Sequence, residues 1–304
     1  WYCFYRIRIK VCFGHFRWGF LREISVYSFW IFLDSIVSHF YSSVGQIVLG
    51  IYRGATTVAI YALAIQLKSL FTSFSTALNS VLLPKVTALA AREGTENEIS
   101  DLFIRVGRLQ YFVMSFILVG FIIFGKEFII LWGGEDYVQT YYITLIIMIP
   151  FFFDLISNVG IVVLQAKDKL KYRSAPMIMI SLIGLMLTFP FANYFGIYGC
   201  ACAISISIFV SNVLVSNFVF YKIAEIDVVM YWKQVMRMSL FPLFVIAFCF
   251  CLKFYISIIS VFDLCVSILA FSAIYVLINF IINMNDQEKS QVFGLIRKVN
   301  IKLF

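Results

Sequence analysis

Long apolar runs alternate with short polar breaks along the chain. The runs cover 26–49, 57–83, 109–125, 138–165, 175–194, 198–221, 238–252 and 264–284. A helix needs about 20 mostly apolar residues to cross a bilayer. The pattern therefore predicts an all-α integral membrane protein with eight transmembrane helices. Several runs exceed the required length, so those helices tilt or extend past the hydrocarbon. The runs at 109–125 and 238–252 are the shortest, and the charge pattern supports both.

The breaks are of two kinds. Twenty of the 24 Lys and Arg fall in five segments, 1–25, 84–108, 166–174, 222–237 and 285–304. The intervening breaks carry only Arg53, Lys126 and Lys253, and Lys68 lies inside a run. Positive residues stay on the cytoplasmic side, so every second break is cytoplasmic and both ends of the chain lie inside. The formal net charge of +8 is then a signal of topology. It does not point to nucleic acid, which calls for basic residues gathered on one soluble face. With 62% apolar and 13% charged residues, the composition is that of a membrane protein, since soluble domains are about a quarter charged.

The longest break, 84–108, has a polar centre from Arg92 to Glu98. Thr95 and Glu98 have capping-box spacing for a helix continuing through Leu102, Phe103, Val106 and Leu109. That apolar face predicts a cytoplasmic amphipathic segment lying along the inner membrane surface. Trp132 and Tyr137 flank the most polar outer turn and suit an interfacial aromatic belt. Pro84 is expected to close the second span. Pro150, in the middle of the fourth, is expected to kink it and serve as a hinge. The seven cysteines lack the spacing of a metal site and read as small apolar fillers. No cofactor is expected.

Three ionisable side chains lie deep inside predicted spans: Asp34, Lys68 and Asp154. Each would cost several kcal/mol facing lipid alone, so each must face protein, water or another charge. Asp34 has Ser38 at i+4 and His39 nearby, Asp154 has Asn158 at i+4, and Lys68 has Gln66 close by in sequence. These are polar stripes on apolar helices. One reading is an internal salt bridge from Lys68 to Asp34 or Asp154. The other is a cavity wall, with Lys68, Gln66 and the outer-loop Arg53 contacting an anionic cargo, and with Asp34, His39, Asp154 and Asn158 coupling ions or pairing internally. No catalytic motif and no phosphate-binding loop appears, so the expectation is a transporter and not an enzyme.

Short motifs carry a family resemblance. Leu49-Gly50 with Gly54, Val58-Ala59-Ile60-Tyr61 and Val81-Leu82-Leu83-Pro84-Lys85-Val86 resemble the seventh and eighth helices of Wzx-type polysaccharide flippases. Gly125-Lys126-Glu127-Phe128 running to Trp132-Gly133-Gly134-Glu135-Asp136-Tyr137 continues the likeness. Leu164-Gln165-Ala166-Lys167, Arg173-Ser174 and Gly196-Ile197-Tyr198-Gly199 complete it, in order from about 22 to 222. The resemblance implies the multidrug, oligosaccharidyl-lipid and polysaccharide exporter superfamily. Relatives often have an Asp-Lys pair where this chain has Gly45 and Gln46, and an Asn where it has Gly184.

What the resemblance implies is the C-terminal lobe, plus two extra helices, of a two-lobed MATE-like transporter. Residues 1–25 would be a basic cytoplasmic segment at the end of a preceding helix. Residues 26–221 would be a six-helix lobe, and 222–304 two further helices and a cytoplasmic tail. The chain opens without methionine, inside an aromatic run, and is read as a fragment lacking its N-terminal part. The implied function is flipping of undecaprenyl-pyrophosphate-linked oligosaccharide across the bacterial inner membrane, for O-antigen or capsular polysaccharide, by alternating access. The implied partners are the lipid-linked oligosaccharide, membrane lipids and other polysaccharide assembly proteins. The rival readings are an ion-coupled multidrug exporter and a membrane-embedded glycan polymerase or ligase.

Overall fold

The computed structural model describes residues 18–90, 96–252 and 260–282. The N-terminal basic residues up to Arg17, the capping residue Thr95, Lys253 and the basic tail 285–304 lie outside the described residues. Among the described residues the chain is helical. The helices are α1 (Trp18–Arg53), α2 (Ala55–Ala90), α3 (Glu96–Gly133), α4 (Val138–Ile156), α5 (Val159–Ala166), α6 (Lys171–Ile208), α7 (Ser216–Lys222), α8 (Val228–Leu252) and α9 (Val261–Ile282). A short 3₁₀ turn, Glu135–Tyr137, joins α3 to α4, and a π-helical stretch, Phe209–Val215, joins α6 to α7.

Among the described residues, six stretches are long and apolar enough to cross a membrane: Ala55–Ala77, Asn97–Gly133, Glu135–Ile156, Lys171–Lys222, Val228–Cys251 and Val261–Ile281. The protein is a multi-pass membrane protein. The eight expected spans map onto these elements unevenly. The span at 26–49 lies on α1, whose polar residues keep it out of the six. The spans at 175–194 and 198–221 are merged in the 52-residue stretch Lys171–Lys222. That stretch folds back on itself at Gly196, where φ is 63° and ψ is −141°, a conformation open essentially to glycine alone. Ser207 Oγ then donates to the Ile180 carbonyl at 3.3 Å, which joins the two limbs.

Several local expectations change. Helix α2 continues through Pro84 to Ala90, and α4 continues through Pro150 to Ile156. The break in the expected 138–165 span comes at Ser157 and Asn158, before α5. Helix α3 runs unbroken for 38 residues, about 57 Å at 1.5 Å per residue, and so contains both the amphipathic segment and the following span. The apolar face of that segment is covered by protein and does not lie on lipid. Phe103 is buried, with its ring 4.9 Å from Tyr231 and 6.1 Å from Phe220.

The interior has three parts. One cluster joins α1, α2, α4 and α6 around Val48, Tyr61, Ile147 and Ile204. A second joins α2 to α5, α7 and α8 around Phe71, Phe103, Phe152 and Tyr231. A third joins α9 to α3 through Val119, Ile123, Phe271 and Tyr275, with Tyr275 Oη donating to Ser115 Oγ at 3.0 Å. Helices α8 and α9 therefore both dock on α3. Small residues permit close approach, as is common between membrane helices. A Cβ on Gly107 would come within 2.5 Å of the Tyr231 ring, and one on Gly184 would overlap Ser207. Lys167 and Lys169 donate to the carbonyls of Ala224 and Ile223, each at 3.0 Å. Two residues of the basic 166–174 segment thus cap the chain just past the C-terminal end of α7.

Candidate functional site

The polar residues of the spans gather where α1, α4, α6 and the π-helical stretch meet. Asp34 on α1 accepts from Arg173 Nη1 at 2.9 Å. Arg173 Nε donates to Ser216 Oγ at 2.8 Å. The arginine is buried to 2% exposure, while Asp34 keeps 28%. Asp154 on α4 is buried, and its Oδ2 accepts from Asn212 Nδ2 at 3.0 Å. Ser211 Oγ donates to Asn212 Oδ1 at 2.9 Å, fixing the amide so that its NH₂ faces the carboxylate. The π-helical register, which often marks functional positions, carries both Ser211 and Asn212. Tyr41 Oη lies 2.8 Å from Ser181 and Ser207 and 3.3 Å from Ser211. A cavity of about 20 Å³ beside Tyr41 and Ser181 has room for about one water.

Lys68 reaches α4 from α2. It is buried at 8% exposure, with Nζ 4.2 Å from the centre of the Phe151 ring, and Asp154 is its Coulombic partner. Asp34, one of its two expected partners, is bound to Arg173 instead. Lys68 lies inside the helix packing and not on an open face.

Gln66, two residues away, is exposed. With Ala59, Ala62 and Leu63 it lines an open groove of about 500 Å³, whose opposite wall is Trp132, Gly133 and Tyr137. Arg53 is exposed at the end of α1 and donates to the Asn193 carbonyl at 2.8 Å, beside the Gly196 reversal. His39 is exposed on α1. Asn158 lies in the turn between α4 and α5, where its backbone N–H donates to Leu155 O at 3.3 Å. The side chain that meets Asp154 is that of Asn212. Pro150 is a helical residue of α4 with no break at its position.

Arg173 and Asn212 were not among the expected site residues. Arg173 reads as one of four basic residues in a cytoplasmic segment. A charge balance would have exposed it, because two span aspartates and one span lysine leave an acid without a cation. Among the basic residues nearby, an arginine suits a buried pair best, because its rigid planar fork can serve two acceptors at once. Asn212 is a lone amide in an apolar run, and nothing in its spacing indicates Asp154.

The departures from the flippase pattern have a packing context. Gly45 lies under the Tyr61 ring, and a Cβ there would come within 2.5 Å of it. Neither Gly45 nor Gly184 has room for a larger side chain while its neighbour stays in place.

A family model described as "Polysaccharide biosynthesis protein" matches residues 1–142. The match covers a little under half of the chain; over that stretch the chain is similar to this family, in agreement with the resemblance to Wzx-type flippases. No curated protein and no solved structure matches the chain.

Proposed function

We propose that this chain forms one helical lobe, with α8 and α9 appended, of a transporter that flips lipid-linked oligosaccharide across the bacterial inner membrane. One observation carries the reading beyond polysaccharide biosynthesis in general. Helix α2 crosses the membrane with Gln66, Ser69, Ser73 and Thr76 exposed along it. The three hydroxyls bond back to their own helix, at 2.8 Å, 2.9 Å and 3.0 Å, and so tolerate an apolar setting. The carboxamide of Gln66 has no such recourse and would cost several kcal/mol in hydrocarbon. A polar passage bounded by this face of α2 accounts for the stripe.

In this reading a second lobe faces α2, and the two rock about the passage. The lipid tail stays in the bilayer while the polar head crosses shielded. Eight crossings satisfy the charge alternation, with α1 as the first and the two limbs of Lys171–Lys222 as the fifth and sixth. Lys68 belongs to the wall that supports α2 against α4, and Gln66 and Arg53 belong to the passage and its mouth. The drug-exporter reading needs open acids for a cationic cargo. Asp34 and Asp154 are both engaged, with Arg173 and Asn212, which favours the saccharide cargo.

The test is complementation of a strain lacking the full-length gene. Gln66→Leu/Ser69→Leu/Ser73→Leu, at matched membrane abundance, is expected to lower surface glycan at least tenfold and to accumulate lipid-linked precursor. Undiminished surface glycan would overturn the reading.

A further inference from the structure

The groove between α2 and the Trp132–Tyr137 turn has a composition of its own. Its α2 wall is Ala59, Ala62, Leu63 and Gln66, the i, i+3, i+4, i+7 set of a single helix face. Thr140 Oγ1 donates to the Ile60 carbonyl at 3.3 Å, which fixes the start of α4 beside this wall. The small side chains of Ala59 and Ala62, and Gly133 opposite, open the groove to about 500 Å³, within the range of about 300–1,000 Å³ typical of ligand sites.

Trp132 is 59% exposed, and its ring is stacked on Phe128 at 6.0 Å with planes 14° apart. The indole rests against Phe128 and keeps more than half of its surface open. Tyr137 packs against the core and lines the groove with Trp132. Gln66 makes no hydrogen bond among the described residues, so its amide offers two donors and an acceptor.

This combination selects among ligand chemistries. An acyl chain would cover the aromatic rings and leave the Gln66 amide unsatisfied, at a cost comparable to a lost hydrogen bond. A phosphate or acidic sugar would need a cation, whereas the adjoining turn exposes Glu135 and Asp136. A neutral pyranose fits on both counts. Its C–H face lies on an aromatic ring, and its hydroxyls both donate to and accept from a carboxamide. The geometry points to this groove as a subsite for neutral pyranose units of the saccharide head. The assignment rests on the saccharide-transport reading and adds which part of the cargo is held, and where.

The experiment uses the full-length protein in lipid nanodiscs with maltotriose and chitotriose as probes, read by saturation-transfer NMR and titration. Wild type is expected to bind at least one of them with a Kd on the order of millimolar. Trp132→Ala and Gln66→Leu are each expected to weaken binding at least tenfold, and Trp132→Phe, which keeps an aromatic face, to weaken it less than threefold. Thermal unfolding confirms that each variant is folded. No binding of either probe to wild type at tens of millimolar overturns the assignment, as does binding that Trp132→Ala leaves unchanged, the result expected of an aromatic belt that only meets lipid. Export of surface glycan is scored separately in cells. Trp132-dependent sugar binding without export removes the transport reading and keeps the groove, and export without Trp132-dependent binding does the reverse.

Discussion

Arg173 on α6 and Asp34 on α1, 139 positions apart in sequence, meet at 2.9 Å inside the helix packing. The same guanidinium holds Ser216, just beyond the π-helical stretch. One side chain thereby ties together the first helix and both limbs of the Lys171–Lys222 hairpin. Removing one partner of a buried pair leaves an uncompensated charge. Arg173→Ala is expected to destabilise the protein by about 3 kcal/mol, read as a lowered midpoint of thermal unfolding in detergent. Asp34→Asn/Arg173→Gln is expected to cost less than the sum of the single changes. Arg173→Lys keeps the charge but cannot serve Asp34 and Ser216 together, and is expected to lose about 1 kcal/mol.

Lys68, Phe151 and Asp154 form a second linked set, joining α2 to α4. Phe151→Leu keeps bulk and removes the ring face 4.2 Å from the ammonium. It is expected to cost about 1–2 kcal/mol, in the range of a desolvated cation–π contact. Lys68→Met is expected to be better tolerated in an Asp154→Asn background than alone, with a coupling of at least about 0.5 kcal/mol in a double-mutant cycle. Additive effects would show that the two charges do not depend on each other.

The two limbs of α6 approach closely at Gly184. A Cβ there overlaps the Ser207 side chain, and Ser207 is held by Tyr41 and by the Ile180 carbonyl. Gly184→Ala is expected to destabilise by about 1–3 kcal/mol, the usual cost of overpacking. Ser207→Gly in the same chain is expected to recover part of that loss by making room. Unfolding midpoints of the two single variants and the double variant check this directly.

Topology is read by labelling single cysteines in a background without the native ones. Gly134 and Asp168 are exposed residues with positive φ, at opposite ends of the α4–α5 region. Gly134→Cys is expected to react with a membrane-impermeant maleimide in intact spheroplasts. Asp168→Cys is expected to react only after permeabilisation. The reverse pattern would invert the assigned orientation.

Much of the architecture was legible in the residues alone. Apolar length and the spacing of Lys and Arg are one-dimensional properties, and the bilayer reads them in one dimension. The spans on α2, α3, α4, α8 and α9 follow from them directly. The intramembrane positions Asp34, Lys68 and Asp154 were also visible, because a charge in an apolar run stands out whatever it touches. Their partners were not. Arg173 looks like any basic loop residue until the hairpin at Gly196 and the packing of α1 against α6 bring it to Asp34. Asn212 reaches Asp154 only through a π-helical register that no residue spacing announces. The groove depends on what is missing at Ala59, Ala62 and Gly133, and small residues give the same sequence signal whether they pack against a helix or border a space. The sequence by itself determined which segments the membrane accepts and which residues cannot face lipid, because both depend on transfer from water. Only the tertiary structure decided which charge neutralises which and where open volume remains, because those depend on distances between residues far apart in the chain.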